Sequence, residues 1–515
     1  MKNIFQSVGM RKPSRNKFDL SHEKKMSMKL NKLYPIMCQE IVPGDKFRVK
    51  SEVLIRLAPM LAPVMHRMNV TTHYFFVPNR LVWNEWEDFI TGGEDGNSNP
   101  AHPYVTINSF NNTSFQKGSL ADFMGVPPVE GVQTVTPQIN VLPFRAYQLI
   151  YNEYYRDQNL TEKIDVSKTS GAETNDEMFN IRTRAWEKDY FTSALPWSQR
   201  GGEAQIPLGS IDENDVTYLP QSEAIDTLDP TGSAGALHGT NGLLATSTGD
   251  PVQLKNIQSI DVNATTINDL RKANRLQQWL EKSARGGSRY IEQIFSHFGV
   301  KSSDARLQRP EFLGGGRQPV VISEVLSTYS ATDMGVPSAN PQGDMTGHGI
   351  SVGQANGFSK SFEEHGFVIG IMSVIPKTAY QQGLDKKFLR TDKFDYFWPE
   401  FAHLGEQEVQ LQELYCNYNG ASNDELTETF GYQQRYAEYK YERSTVHGDF
   451  RDNLKYWHMG RIFDNKPVLN TEFVEADADK RIFAVEDETT DELYVQIYNK
   501  VDALRPMPYF SIPSL

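Results

Sequence analysis

Hydrophobic and polar residues alternate most clearly over residues 47–57. Apolar side chains from Phe47 to Leu57 fall on one side of an extended chain, and mostly charged side chains from Arg48 to Arg56 fall on the other. A period of two residues is typical of a strand with one buried face and one solvated face. The pattern therefore predicts a half-buried strand.

Further extended runs lie far apart in the sequence. Residues 64–77 are rich in Val, Thr, Tyr and Phe, and we expect them to pair with 47–57. The remaining strand candidates are 320–329, 367–375, 481–485 and 493–501. Because no regular alternation of strand and helix separates them, the pattern favours an antiparallel sandwich with long insertions over a parallel sheet.

A few segments have the period of an amphipathic helix. Residues 144–158 follow Pro143, and proline favours the first turn of a helix. Residues 268–284 carry an apolar stripe and end before two glycines, and 290–298 form a second short apolar face. The sequence therefore predicts a helix pair in this region.

Residues 201–262 differ in composition from the rest of the chain, because Gly, Ser, Thr, Asp and Asn dominate there. Loops longer than about 15 residues are uncommon in compact domains and are often functional surfaces. We expect this segment to be an exposed insertion.

Length and composition exclude several classes of protein. A chain of 515 residues would ordinarily form about three domains. The best apolar run, 367–375, is much shorter than the about 20 residues that span a membrane, so no membrane insertion is expected. Two cysteines, Cys38 and Cys416, are too few for a disulfide scaffold or a four-thiolate metal site, and no signal pattern opens the chain. We expect a protein made in a reducing cytoplasm, without a metal or a cofactor.

Charge is unevenly distributed along the chain. The whole chain has 52 basic and 65 acidic residues, a net charge of -13 that by itself argues against nucleic acid as a partner. Residues 1–32, however, hold nine Lys and Arg against two acidic residues, a net +7, which leaves -20 for the remainder. A basic arm on an acidic body is typical of a protein whose arm meets phosphate, although a solvated flexible tail would have the same composition.

Motifs for catalysis or metal binding are scarce. The glycines at 314–316 lack the Lys-Ser/Thr of a phosphate-binding loop, so a flexible turn is expected there. His66 and His73 are an odd number of residues apart, which places them on opposite faces of a strand. Asp477 and Asp479 lack the Gly and the distal Glu of a calcium loop.

Two clusters combine aromatic and charged side chains. Trp83 and Trp86 beside Glu85 and Glu87 have the composition of a carbohydrate site, but their spacing favours a short helix that packs both tryptophans inward. Residues 431–451 interleave Tyr with Arg and Lys, which suits either base stacking or an interface between subunits.

Several segments resemble one protein family. They are 18–47 (FDLSHEKKMSMKLNKLYPIMCQEIVPGDKF), 51–93 (SEVLIRLAPMLAPVMHRMNVTTHYFFVPNRLVWNEWEDFITGG), 142–159 (LPFRAYQLIYNEYYRDQN), 367–383 (FVIGIMSVIPKTAYQQG), 431–441 (GYQQRYAEYKY) and 502–510 (DALRPMPYF). In these segments the chain is similar to the gokushovirus-type major capsid proteins of the Microviridae, which are small single-stranded DNA bacteriophages. The resemblance runs from end to end except over about 201–262.

The resemblance implies both a fold and a function. The fold would be mainly β, an eight-stranded antiparallel jelly-roll sandwich with long inserted loops and a few helices. Residues 1–32 would be a basic N-terminal arm, and 33–515 a single capsid domain with 201–262 as a variable surface loop at the three-fold protrusions. Sixty copies would close a T=1 icosahedral shell around a circular single-stranded DNA genome, and no catalysis is expected.

The resemblance also implies partners and a location. The partners would be further copies of the chain, the packaged genome, a small basic DNA-binding protein, a pilot protein and a host cell-surface receptor. The protein would belong to the virion and would occupy the host bacterial cytoplasm during assembly. In a shell, the Tyr-rich segment 432–441 is expected to be buried between subunits.

An inward-pointing arm would meet the genome. We expect Arg11, Lys12, Arg15 and Lys17 to contact DNA weakly and without sequence preference. Two alternatives are a β-sandwich carbohydrate-active enzyme that uses Glu85 or Glu87 and a lectin-like binding module. Neither explains the basic arm or the series of similar segments.

Overall fold

The computed structural model describes most of the chain in two compact units. One unit consists of Met1–Ser198 and Ala284–Leu515, and the other of Gln199–Ser283. The described residues are 14–107, 113–129, 137–202, 267–326, 345–416, 423–477, 479–485, 487 and 489–510, with short strands between 227 and 245. Most of the predicted loop 201–262 therefore lies outside the described residues.

Strands are the dominant elements of the first unit. In chain order the strands of the molecule are β1 (Asn16–Asp19), β2 (His22–Met28), β3 (Tyr34–Ile41), β4 (Lys46–Leu57), β5 (Met68–Pro78), β6 (Tyr104–Thr106), β7 (Gln138–Asn140), β8 (Thr227–Leu228), β9 (Ala234–Gly235), β10 (His238–Thr240), β11 (Leu243–Ala245), β12 (Glu311–Pro319), β13 (Val321–Leu326), β14 (Met345–Ser361), β15 (Gly366–Pro376), β16 (Glu406–Gln410), β17 (Thr429–Gln434) and β18 (Leu493–Arg505).

The helices are mostly short. They are α1 (Trp86–Thr91), α2 (Leu120–Met124), α3 (Leu142–Ile150), α4 (Ile267–Gly286), α5 (Tyr290–Phe298), α6 (Lys386–Leu389), α7 (Leu411–Leu414), α8 (Asn423–Thr427) and α9 (Thr471–Val474). A π-helical turn, Tyr151–Tyr155, continues α3. The expected helices 144–158, 268–284 and 290–298 are thus present with shifted ends. In the described part of the chain, none of these helices is long and apolar enough to cross a membrane.

Two antiparallel sheets form the core of the first unit. A six-stranded sheet has the order β1-β18-β4-β14-β13, and β2 also pairs with β18. A four-stranded sheet has the order β12-β5-β15-β3. The expectation of a mainly β, antiparallel fold is confirmed, but β4 and β5 lie in different sheets, so the expected pairing of 47–57 with 64–77 is wrong.

The two sheets differ in how many of their faces are buried. In β4 and β18, buried and exposed residues alternate along nearly the whole strand, so the six-stranded sheet has one dry face and one wet face. In β15 every residue is buried, and in β5 all but His73 are buried. The two central strands of the four-stranded sheet are therefore enclosed on both sides, whereas its edge strand β12 is partly exposed.

Alternate side chains of the four-stranded sheet contribute to two separate cores. Val70, Tyr74 and Val368 pack with residues of the six-stranded sheet in the core of the sandwich. Phe75 and Ile369 point the other way and pack with the buried side of α3. Full burial of each such side chain contributes about 1.5–3 kcal/mol, and this explains why β5 and β15 are apolar at consecutive positions.

A chain of hydrogen bonds connects the two sheets through the apolar core. The Tyr74 hydroxyl donates to Ser51 Oγ at 2.6 Å, and Ser51 Oγ donates to Asn499 Oδ1 at 2.7 Å. Asn499 Nδ2 in turn donates to the Ile36 carbonyl at 3.2 Å. Burial raises the pKa of Tyr74 to about 12, so the phenol remains a donor at neutral pH.

Two local predictions are wrong. The glycines at 314–316 lie within β12 rather than in a flexible turn, and a Cβ on Gly315 would lie 2.5 Å from the Thr72 carbonyl oxygen of β5. Glycine permits this close approach of two strands. Residues 481–485 do not form a strand, and Phe483 makes only an isolated bridge to Met60.

We expect Asn499→Ala to lower the free energy of unfolding by about 1–3 kcal/mol. The substitution removes the acceptor of the buried Ser51 hydroxyl, which keeps only its bond from Tyr74, and the amide donor to the Ile36 carbonyl. Gln496→Ala, on the exposed face of the same strand, is the matched control and should change stability by less than about 0.5 kcal/mol. Urea unfolding of the unassembled protein measures both. Equal effects of the two substitutions would contradict a stabilising role for the buried polar chain.

Candidate nucleic-acid interface

The four basic residues predicted to contact DNA fall partly within the described structure. Arg11 and Lys12 lie outside the described residues. Arg15 is exposed just before β1, and Lys17 lies in β1, where its Nζ is 2.7 Å from Asp502 Oδ1. The second half of the basic segment 1–32 is thus not a separate arm, because β1 and β2 pair with β18 at the edge of the six-stranded sheet.

The solvent side of the six-stranded sheet, which we call the open face, carries an excess of basic side chains. The basic residues of its strands that point to this side are Lys17, Lys25, Lys46, Arg48, Lys50, Arg56 and Lys500. The acidic residues are Asp19, Glu23, Glu52 and Asp502. This local positive balance contrasts with the net charge of -13 on the whole chain.

Two lysines face each other at the centre of the open face. Lys50 of β4 lies directly opposite Lys500 of β18. Like charges at directly opposite positions destabilise a sheet by about 0.2–1 kcal/mol. Within the described residues neither lysine forms an ion pair, so this position retains positive charge that an anion can neutralise.

A bulge in β14 lies beside Lys50. The register between β14 and β4 shifts between Ala355 and Phe358, so that β14 has an extra residue opposite Lys50. A Cβ on Gly357 would lie 1.7 Å from the Val49 carbonyl oxygen, and only glycine fits there.

Two tyrosines extend the open face along β18. Tyr494 and Tyr498 are 49% and 37% exposed and point to the same side as Lys500. Their spacing of four residues corresponds to about 13 Å along a strand. Aromatic rings interleaved with cations bind single-stranded nucleic acid without sequence preference, because every base can stack and every phosphate can pair.

Not all basic residues of the segment 1–32 reach the open face. Lys24 points inward, where its Nζ donates to the Pro35 and Phe123 carbonyls, and burial lowers its pKa to about 8. Lys32 donates to Thr183 Oγ1 at 2.8 Å, and burial lowers its pKa. These two lysines hold the chain to the body of the protein and are not available to phosphate.

The carboxylates of the open face are also engaged. Hydrogen bonds from Ser21 are the largest cause of the lowered pKa of Asp19, and the charges of Lys17 and Lys500 lower it further. Asp502 pairs with Lys17 and lies opposite Arg48 in the neighbouring strand. Asp502 therefore holds Lys17 in place, while Glu23 and Glu52 accept from Gln496 and Gln354.

The carbohydrate site considered at Trp83 is not formed. Trp83 is fully buried and its Nε1 donates to Ser170 Oγ at 2.7 Å, while Trp86 packs partly buried against the same core. The Glu85 carboxylate accepts from Ser170. The inward packing predicted for the two tryptophans is confirmed, and no open aromatic platform remains beside Glu85.

The histidines and acidic residues considered for metal binding do not come together. His66 precedes β5 and hydrogen-bonds to the Lys377 carbonyl at 2.6 Å, whereas His73 hydrogen-bonds to the Tyr155 hydroxyl at 2.8 Å. Asp479 accepts from Arg481. Among the residues that the structure describes, no group of three His, Cys, Asp or Glu is placed to hold a metal ion.

Sequence reasoning missed most of the open face. The alternation in 47–57 placed Arg48, Lys50 and Arg56 together on a polar side, but it did not show which strand lies next to them. Residues 493–501 were predicted only as a strand, and the structure shows that Tyr494 and Tyr498 share its exposed side. Only the register of β4 with β18 brings the two sets together.

Sequence comparison with known proteins shows to which family the chain belongs. The sequence profile of the phage family described as "Capsid protein (F protein)" matches residues 7–515. The chain belongs to this capsid protein family.

Individual members confirm the match over the full length. The capsid protein is 36% identical over 596 residues to "Capsid protein VP1" of Chlamydia phage 1, with 100% of this chain and 98% of that protein covered. It is 36% identical to "Capsid protein VP1" of Bdellovibrio phage phiMH2K, with 97% and 95% covered. It is 30% identical to "Capsid protein VP1" of Spiroplasma virus 4 with the same shares covered.

These relatives identify the chain as a structural major capsid protein of the gokushovirus type in the Microviridae. It belongs to the virion and assembles with further copies of itself. The alternative of a carbohydrate-active enzyme using Glu85 or Glu87 is thereby rejected, since the family is structural and not enzymatic.

We expect the double substitution Lys50→Gln and Lys500→Gln to weaken binding of a single-stranded oligonucleotide to the unassembled protein. Two lost phosphate contacts should reduce the slope of log K against log salt by about 1.4. Fluorescence anisotropy over a series of salt concentrations measures the slope.

Subunit stability should be unchanged or slightly higher in this variant, because the repulsion between the two lysines is removed. The matched control is Lys117→Gln with Lys301→Gln, two exposed lysines outside the six-stranded sheet. The interface is wrongly placed if the control reduces the slope as much as the test variant does.

Proposed function

We propose that sixty copies of this capsid protein close a T=1 icosahedral shell around a circular single-stranded DNA genome, with the open face directed inward. The observation that carries the proposal is the positive balance of the open face on a chain of net charge -13. A container for nucleic acid needs basic charge on the side that meets phosphate, while the rest of its surface can remain acidic.

We propose further that the two sheets form an eight-stranded jelly roll. The ladder β2-β18-β4-β14 in one sheet and the ladder β3-β15-β5-β12 in the other support it. Along the chain these strands change sheet at every step except from β5 to β12. Such crossing between two four-stranded ladders is the connectivity of a double Greek key.

The basic segment 1–32 would begin on the inner side of the shell. β1 and β2 lie along β18, next to Lys500 and the two exposed tyrosines. Residues that precede β1, including Arg11, Lys12 and Arg15, would therefore start from the rim of the open face. Together with Lys17 they remain our candidates for weak, sequence-independent contacts with DNA.

Charge arithmetic sets a limit on what this segment can neutralise. Sixty copies at +7 supply about 420 charges, whereas a gene for 515 residues already needs about 1,545 nucleotides, so at most about a quarter of the phosphates are matched. Lys24 and Lys32 lower this share further, because their side chains bond within the subunit and do not reach the genome. We propose that polyamines, magnesium or a small basic virion protein supply the remainder, and that a pilot protein is a further partner.

We propose that residues 201–262 form a surface protrusion around the three-fold axes that contributes to host attachment through a cell-surface receptor. The segment falls within the separate unit Gln199–Ser283. None of its described strands belongs to the two main sheets. Changes in the segment should therefore leave the sandwich intact. Assembly itself would take place in the host bacterial cytoplasm.

The first test measures the particle and the direction of its open face. The expressed capsid protein should form closed particles of about 3.5 MDa, as sixty chains of 58.5 kDa require. An amine-reactive reagent on a polymer too large to pass between subunits should modify Lys50 and Lys500 only after disassembly. Equal modification in intact and dissociated particles would show that the open face is external.

A second test concerns the insertion. Deletion of residues 221–251 should leave particle yield unchanged and reduce adsorption to host cells. In the matched control, a Gly-Ser linker of equal length replaces residues 221–251, so that the chain length is kept. Particles of this variant should also fail to adsorb. Loss of assembly in both variants would count against a role confined to attachment.

A further inference from the structure

An aromatic surface on the first unit has no role in the sandwich or in the open face. From α6 to the residues just before β16, six large apolar side chains are 45–72% exposed within 17 residues. They form what we call the aromatic patch: Phe388, Phe394, Tyr396, Phe397, Trp398 and Leu404. Single exposed apolar residues are common, but clusters of this size mark binding surfaces.

The patch is held in place by specific hydrogen bonds from the Tyr-rich segment. The Tyr439 hydroxyl accepts from the Phe397 amide at 3.3 Å, and the Tyr436 hydroxyl accepts from the Trp398 amide at 3.2 Å. The Trp398 indole donates to the Lys393 carbonyl at 2.8 Å. The rings are therefore presented outward by a fixed loop.

Ring contacts reinforce this arrangement. Phe397 packs edge-on against Tyr436 with centroids 4.9 Å apart, and Tyr436 is itself buried. The Arg390 guanidinium lies 4.2 Å from the centroid of the Tyr439 ring and pairs with Glu438. Rigid aromatic side chains lose little conformational entropy on binding, which suits them to an interface.

A hollow of about 290 Å³ adjoins the patch. Arg390, Lys387 and Tyr439 line it together with Tyr441 and Glu442. Interfaces often place one large side chain of a partner in such a hollow beside exposed aromatic residues. Tyr439 lines the hollow and its ring contacts that of Phe397 in the patch, with centroids 6.3 Å apart, so the hollow lies directly beside the patch.

Charge decides which class of partner this surface fits. The segment 385–404 contains four basic residues and four acidic ones, so its net charge is zero. Arg390 is already paired with Glu438, and Lys387 with Asp385. A surface for nucleic acid would need an excess of cations, which the open face has and this segment lacks.

We propose that the aromatic patch and its hollow form a contact with a second copy of this chain. The proposal rests on the self-assembly of the capsid protein and names residues that would form one of the contacts between subunits. Residues 33–515 hold a net charge of -20, so neighbouring copies repel each other and an uncharged apolar contact is needed to offset the repulsion. Two copies would meet through different surfaces, as around a five-fold or three-fold axis.

The test replaces the two patch residues with the greatest exposure. Phe388→Ser with Leu404→Ser should reduce the yield of closed particles at least about tenfold in sedimentation velocity. The thermal unfolding midpoint of the unassembled protein should stay unchanged, because both side chains are exposed. The matched control is Met65→Ser with Val468→Ser, which are 71% and 61% exposed outside the patch and should assemble normally.

A photo-crosslinking amino acid at position 388 identifies what covers the patch. In intact particles it should yield covalent dimers of the capsid protein. Crosslinks to DNA alone, or no crosslink in particles that assemble normally, would overturn this proposal. The proposed function as a shell protein would be unaffected by either result. Failure of the unmodified chain to form particles would instead overturn the proposed function.

Discussion

Enclosure of β5 and β15, the central strands of the four-stranded sheet, on both faces is the constraint on which the rest of the structure depends. Val70 and Val368 must meet the other sheet, while Phe75 and Ile369 must meet α3. Neither layer can be removed without exposing a row of apolar side chains to water. The six-stranded sheet needs only one dry face, and its other side is consequently free to carry charged and aromatic residues.

Because only one face of the six-stranded sheet is buried, different parts of the capsid subunit are used for internal packing, for the charged surface and for contacts with other copies. The buried chain from Tyr74 through Ser51 to Asn499 fixes how the two sheets meet. The next residue of the same strand, Lys500, already points to the charged open face. Contacts with other copies are assigned to loops such as 385–404, which lie outside the two main sheets.

Local sequence patterns were informative wherever a single strand or helix decides the outcome. The alternation of Phe47 to Leu57 and the helical face of 290–298 were recognisable because their periods depend on near neighbours only. The pairing of strands was not recognisable from the sequence, because the register that brings Lys50 and Lys500 together depends on packing between distant segments. The glycines at 314–316 were misread for the same reason: their purpose becomes clear only beside Thr72.

Because Lys50 and Lys500 lie opposite each other, binding of an anion at the open face is linked to the stability of the subunit. Each folded subunit carries a repulsion that a bound anion would relieve, so occupancy of the open face and stability of the sheet are thermodynamically coupled. In the proposed shell, a subunit in contact with DNA should for this reason be more stable to unfolding than one in an empty particle, even where the contacts between subunits are identical. The cargo then acts as a structural component of its container.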